Sequence, residues 1–242
     1  MLAGCYVDAP PAAPDVMAAR LGELLADPDP NMRRTAVEAL GKIGHASANS
    51  GLLSALNDQD ARVRTAAALS LGRLGDGESG TALVGRLADS AEAVREASAV
   101  ALGEIEASPA HEQRILRVLR HAEGFGRAAA SRALVGLDRV SFSTDLVGAL
   151  RDSDPIVRQG IAAALGETGD MRAVPHLLSL VRKDAAAGVR SEAAFRLGKI
   201  GDERVMADLA AVADTDSVVA VRGWARWAMQ QIRQSHESGS GQ

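Results

Sequence analysis

Apolar residues recur at fixed distances from an arginine that returns every 31 or 32 residues along the chain. Counted from each arginine, positions −1, +3, +7 and +10 are mostly apolar, which places them on one stripe of an α-helix. The pattern therefore predicts a helix of about three turns that begins just before each arginine. The recurring arginines are Arg33, Arg64, Arg95, Arg127, Arg158, Arg190 and Arg222.

Turn-forming residues bound each predicted helix. A second apolar stretch, such as Leu52-Leu53-x-x-Leu56, precedes it and leads into an Asp-rich turn such as Asp152-Ser153-Asp154-Pro155. Each unit is thus predicted to be helix, turn, helix, and units must stack because neither helix can bury its stripe alone. Glycines at position +11 suit a left-handed C-terminal cap in four units: Gly44, Gly75, Gly169 and Gly201.

An aspartate stands six residues before the arginine in six of the seven units, and His121 takes its place before Arg127. An aspartate in the turn is within reach of the arginines of its own unit and of the adjacent one, so we interpret the pairs as a structural ladder. The alternative is a row of ligand-binding arginines. The aspartates are Asp27, Asp58, Asp89, Asp152, Asp184 and Asp216.

The motif Val63-Arg64-x-Ala66-Ala67-Ala68-x-x-Leu71-Gly72-x-Leu74-Gly75-Asp76 resembles the short bacterial HEAT repeat, also called the phycobilisome-lyase HEAT-like repeat. The segment that begins at Val189-Arg190 repeats it, and the resemblance covers about residues 15–234. It implies an all-α, right-handed solenoid of about seven two-helix repeats, with the second helices on the concave face. Residues 1–14 and 235–242 are expected to be flexible segments.

The +5 row of the second helices is expected to face the concave side, and it contains Leu69, Val100, Phe195 and Trp227. Two of the six aromatic residues of the chain fall in this row, which predicts a hydrophobic binding strip near the C-terminal end. The alternative is that Trp224 and Trp227 fold over the open end of the array as a cap. Charged residues expected to orient a partner at the rim are Arg132, Lys199 and Arg226.

The fourth unit departs from the pattern. His121 replaces the aspartate, Gly124-Phe125-Gly126 replaces the usual turn, and Val135 replaces the glycine found at position +8 in five other units. Glycines relax the backbone, and the missing ladder residue weakens coupling to a neighbour. Two interpretations stay open: the fourth unit forms a hinge, or its sequence has diverged locally in an array that tolerates such changes.

Catalytic chemistry finds little support in the sequence. The pairs His111-Glu112 and His236-Glu237 are similar to those of the HEAT-repeat di-iron hydroxylase, but the positions matching its ligands hold Glu96-Ala97 and Ser191-Glu192, without histidine. We therefore expect no metal or other cofactor. The sequence predicts a non-enzymatic scaffold that binds a protein or peptide on its concave face, and the alternative is an enzyme or subunit of the bilin lyase type.

Composition and charge bear on the class of partner and on the location of the protein. The net charge is −4 with no basic stripe, so no nucleic acid partner is expected, and no run of about 18 apolar residues exists. The chain reads as cytoplasmic. Leu2-Ala3-Gly4-Cys5 resembles the lipidation box of bacterial lipoproteins, so the alternative is a lipid anchor at Cys5 with a start further upstream. The identity of the partner and the oligomeric state stay open.

Overall fold

Seven helix–turn–helix units follow one another along residues 13–106, 108–137 and 140–239, the part of the chain that this computed structural model describes. The first helices of the units are α1 (Pro14–Glu23), α3 (Asn49–Ala55), α5 (Ser79–Arg86), α7 (Pro109–His121), α9 (Thr144–Ala149), α11 (Val174–Lys183) and α13 (Met206–Thr215). The second helices are α2 (Pro30–Ile43), α4 (Ala61–Leu74), α6 (Glu92–Glu104), α8 (Gly124–Gly136), α10 (Pro155–Glu167), α12 (Ala187–Ile200) and α14 (Val219–Gly239). The predicted all-α repeat architecture is therefore confirmed.

The ends of the second helices carry the caps that the sequence predicts. Asp29 and Asp154 each accept a hydrogen bond from the backbone N–H two residues later and so cap α2 and α10. The four glycines at position +11 have φ angles between 63° and 79°, which favour a residue without Cβ. Local sequence therefore sets where these helices begin and end.

The apolar stripe of the second helices forms the middle of the core. The leucines at position +7 in the first six units are buried, from Leu40 to Leu197. Position −1 is buried in every unit except the first described unit, where Met32 is 43% exposed. Burial of the stripe thus depends on a neighbouring unit.

Second helices of successive units pack closely against one another, whereas the first helices touch their counterparts less. The glycine at position +8 permits this approach: a Cβ on Gly198 would lie 2.6 Å from Cα of Ala228 in the next second helix. The closer packing lies on the side of the second helices, as expected if these helices line the concave face.

The described helices run from Pro14, where α1 begins, to Gly239, where α14 ends. The bounds of 15–234 expected for the repeat array stay a prediction. Cys5 and its lipidation box lie outside the described residues. None of the helices in the described part of the chain is both long and apolar enough to cross a membrane.

The turn of the fourth unit is one residue shorter than the turns before α12 and α14. Asp184 and Asp216 end α11 and α13, with extended backbone and an N–H bonded to the carbonyl four residues earlier. Ala122 has this conformation and this bond in the fourth unit, whereas His121 is still the last residue of α7. Counting along the sequence assigned the aspartate position to His121, and the structure assigns it to Ala122.

Candidate functional site

The recurring arginines connect neighbouring units. Nε and Nη2 of Arg158 donate to the two carboxylate oxygens of Asp184 in the next unit, both at 2.8 Å. Its Nη1 donates to the carbonyls of Asp152 and Ser153 in its own turn. The same carboxylate bonds, between 2.6 and 3.2 Å, join four further pairs: Arg33–Asp58, Arg64–Asp89, Arg127–Asp152 and Arg190–Asp216.

Electrostatics in the ladder favour the ionised carboxylate. Side-chain hydrogen bonds from the partner arginines hold the pKa of Asp58, Asp184 and Asp216 below its usual range. Within the described residues, Arg95 and Arg222 bond only to carbonyls of their own turns and to no carboxylate. The five complete pairs are therefore placed to stabilise the stack.

Three aromatic side chains meet between α12 and α14. The rings of Phe195 and Trp227 are stacked, with centroids 5.0 Å apart. Trp224 meets both edge-on, at 5.3 Å from Phe195 and 5.6 Å from Trp227. We call Phe195, Trp224 and Trp227 the aromatic cluster.

Exposure within the aromatic cluster differs from the sequence-based expectation. Phe195 and Trp227 were expected to be exposed, but both are partly buried, because they stack on each other and Trp227 also packs against the core. Trp224 is the most exposed member, at 40%. The sequence-based prediction included Trp224 only in the alternative of a cap. Trp224 precedes Trp227 by three residues, however, so both lie on one face of the helix.

The aromatic cluster connects the last two described units. Both tryptophan rings lie against Phe195 of the preceding unit, so the aromatic cluster lies within the joint between the last two units. Arg226 is at position +4, where residues such as Val37 and Ala68 are buried in earlier units. It is exposed and donates to the carbonyl of Ala213 on α13 at 3.0 Å. Its role in orienting a partner stays a prediction.

A shallow depression of about 300 Å³ adjoins the aromatic cluster. Its polar side includes Gln159 and Ser191, whose side chains can each donate and accept hydrogen bonds. Its charged side is Arg196, whose guanidinium lies 5.1 Å from the Phe195 ring centroid and bonds Glu192 and Glu167. Apolar rings beside polar groups are typical of peptide-binding surfaces.

The remaining predicted partner-binding residues lie along the second helices and do not join the aromatic cluster. Leu69 on α4 is partly buried against the core, whereas Val100 on α6 is 54% exposed. Arg132 on α8 bonds Glu96 of α6. Lys199 on α12 is exposed.

The histidine–glutamate pair of the fourth unit is buried, and only its glutamate side chain accepts a hydrogen bond. His111 is buried beside Gly80, where an added Cβ would lie 2.6 Å from Nε2 of the imidazole. Glu112 accepts a hydrogen bond from the N–H of Ser141 at 2.9 Å. Among the described residues, no three His, Cys, Asp or Glu side chains are grouped closely enough to hold a metal ion.

Comparisons with known proteins agree with this architecture. A family profile for HEAT repeats matches residues 18–103, 107–195 and 143–230. A search of curated proteins finds no significant sequence match.

Three solved structures share the fold at low sequence identity. The archaeal HEAT-like repeats protein from Thermococcus onnurineus is 15% identical, with a TM-score of 0.57 over 90% of this chain and 97% of the other. The YibA protein of E. coli is 21% identical, with a TM-score of 0.57 over 90% and 81%. The complex of CpcE and CpcF of phycocyanin lyase from Nostoc is 19% identical, with a TM-score of 0.50 over 97% and 92%. The family profile covers most of the chain, which therefore belongs to the HEAT-repeat family.

Proposed function

We propose that this protein is a non-enzymatic adaptor that binds a peptide segment of a partner protein on its concave face, with the aromatic cluster as the anchor. The observation that carries the proposal is the exposed Trp224 ring, held edge-on against Phe195 and Trp227 beside the depression. Partly exposed tryptophan supported by packed neighbours is typical of the residues that dominate binding energy at interfaces.

The chemistry of the depression indicates the kind of segment that fits. An apolar or aromatic side chain of the peptide would cover Trp224, while Gln159 and Ser191 bind its backbone amides. The Arg196 guanidinium is already engaged by Glu192 and Glu167, so no acidic anchor is required at this point. Lys199 supplies an exposed positive charge on α12, the helix that also carries Phe195.

Peptide display with counter-selection tests the proposal. Peptides selected on the wild-type protein should bind Trp224→Ala at least about tenfold more weakly, since an anchor of this type contributes about 2 kcal/mol. Val16→Ala, which truncates an exposed apolar side chain on α1 of the first unit, is the matched control and should bind normally. Equal binding by Trp224→Ala and the wild type would refute the proposal.

A second experiment on the same protein tests the alternative that it is an enzyme of the bilin lyase type. The phycocyanin lyase complex of Nostoc shares the fold, and that likeness by itself carries no activity to this chain. Incubation with an open-chain tetrapyrrole and an acceptor protein should leave the acceptor uncoloured. A covalently coloured acceptor would favour a lyase over an adaptor.

A further inference from the structure

Arg95 is a buried arginine of the ladder without a carboxylate partner. Its Nη1 donates to the carbonyls of Asp89 and Ser90 at 2.8 and 3.0 Å, as the other ladder arginines do in their own turns. Its Nε and Nη2, which bind the next aspartate in five other units, have no acceptor among the described residues. The residue is 7% exposed, so bulk water solvates little of this charge.

The short turn of the fourth unit is the cause. Ala122 occupies the place of the ladder aspartate, and its methyl group offers no acceptor. The nearby Asp89 carboxylate is already bound by Arg64 and by the N–H of Ala91. The guanidinium edge that faces the fourth unit is therefore unpaired.

Phe125 flanks the same guanidinium. Its ring centroid lies 5.0 Å from Cζ of Arg95, and the side chain is 72% exposed, the highest value among the exposed large apolar residues. A ring stacked on a cation stabilises the charge but leaves the in-plane N–H donors free. A carboxylate can therefore approach Nε and Nη2 while an apolar neighbour covers the ring.

Arg222 provides a comparison within the chain. It also bonds only a carbonyl of its own turn, that of Asp216, but it lies in the last described unit and is less buried. Arg95 lies in the third unit, between two complete units. The vacancy at Arg95 therefore arises from the sequence of the fourth unit and is not an effect of the end of the array.

We propose that Arg95 binds an aspartate side chain from an acidic segment of a partner protein, in the place that a ladder aspartate fills elsewhere. Bidentate pairing of arginine with a carboxylate is stronger and more directional than neutral hydrogen bonding. The residue beside the aspartate is apolar and packs on Phe125. The site at Arg95 and Phe125 lies on the third and fourth units, apart from the aromatic cluster. The proposal for this site does not depend on the function proposed for the aromatic cluster.

The test uses the whole protein and a capped peptide, acetyl-Leu-Asp-Ser-Leu-amide. Side-chain Nε–Hε resonances of arginine in the ¹⁵N-labelled protein report binding, and Arg95→Lys identifies the Arg95 signal by its loss. Backbone amide resonances measure the peptide affinity of variants that lack this signal. The peptide should shift that signal saturably, and the Asp→Asn peptide should bind at least about tenfold more weakly, as expected for a charge-assisted bond. Capped aspartate alone should bind less tightly than the peptide, because it lacks the apolar contact.

Two further variants test the site at Arg95. Ala122→Asp places a carboxylate in the chain itself, so it should weaken peptide binding at least about tenfold and raise Tm by about 3 °C or more. Phe125→Ala should weaken binding of the peptide but not of capped aspartate. Unchanged peptide affinity in Arg95→Lys overturns the proposal, as does equal binding of the Asp and Asn peptides. Capped aspartate that binds as tightly as the peptide overturns the assignment of a peptide partner.

Discussion

Arg158 and Asp184, which belong to neighbouring units, are joined by two hydrogen bonds of 2.8 Å between the guanidinium and both carboxylate oxygens. Both side chains are largely buried, at 14% and 6% exposure. Since the same arginine also binds two carbonyls of its own turn, it fixes the position of one unit against the next. This geometry makes the ladder a stabilising element whose individual pairs can be measured.

Replacement of one carboxylate should destabilise the array. Asp184→Asn leaves the Arg158 guanidinium facing an amide that pairs poorly with it, and we expect the free energy of unfolding to fall by about 2 kcal/mol. Urea unfolding followed by circular dichroism measures this change. The control is Glu38→Gln in the exposed Arg34–Glu38 pair, for which roughly 0–0.5 kcal/mol is expected. Equal losses in the two variants would contradict a special role for the ladder.

Acid should weaken the stack through the same carboxylates. The pKa values of Asp58, Asp184 and Asp216 are lowered in the folded protein by hydrogen bonds from arginine, so unfolding is accompanied by proton uptake at low pH. Their contribution is fully present above the unfolded value of about 4 and is lost as the pH falls through the lowered folded values. Tm should therefore be nearly constant from about pH 8 to 5 and decline below about pH 4.

The Asp184→Asn protein is the control for this acid response. It lacks one of the groups that take up a proton, so the decline of Tm below about pH 4 should be shallower than in the wild type. An identical acid slope in both proteins would show that Asp184 does not contribute to it.

The close approach of α12 and α14 predicts opposite effects of alanine at two glycines. A Cβ on Gly198 would lie 2.6 Å from backbone Cα of Ala228, so Gly198→Ala should force the helices apart and cost about 1–3 kcal/mol. Gly223 on α14 has no atom within 4 Å of such a Cβ, and Gly223→Ala should stabilise the helix by about 0.5–1 kcal/mol. Thermal unfolding of the two single variants distinguishes them by sign. A loss of stability in both would show that the packing distance is not the cause.

The members of the aromatic cluster should differ in their effect on stability. Trp227 packs against the core, so Trp227→Ala should cost about 2 kcal/mol or more, whereas Trp224→Ala should cost less than about 1 kcal/mol. Trp224 is thus the better position for separating binding from folding. Chemical denaturation of both variants measures the difference, and a larger loss for Trp224→Ala would contradict the exposures seen in the structure.

Tryptophan fluorescence gives an independent view of the aromatic cluster. The chain has only two tryptophans, and both belong to the cluster, so its emission reports this one surface. A peptide that covers Trp224 should shift the emission to shorter wavelength, because the ring leaves water. A bound peptide that leaves the emission unchanged would place its site elsewhere.

The arginine period, the apolar stripe and the capping residues could be interpreted from the sequence, because each depends on residues close together in the chain. Gly75 needs only its own positive φ, and Asp154 caps its own helix two residues later. The family resemblance rests on the same short-range pattern, so the fold followed from it as well. Seven repetitions of one local signal leave little room for another architecture.

The tertiary structure alone decided how residues of different units meet. Position +5 predicted a common face for Phe195 and Trp227, but only packing between α12 and α14 showed that they stack and leave Trp224 outermost. The bond from Arg226 to the carbonyl of Ala213 joins α14 to α13, a contact that position +4 alone does not predict.

In the fourth unit, fixed spacing from the arginine does not predict where the turn begins. A turn shortened by one residue moved the ladder position from His121 to Ala122, since helix α7 continues one residue further than fixed spacing assumes. Sequence therefore determined the repeating unit and its local ends. The contacts between units, which set the exposure of side chains and leave Arg95 without a carboxylate partner, required the folded array.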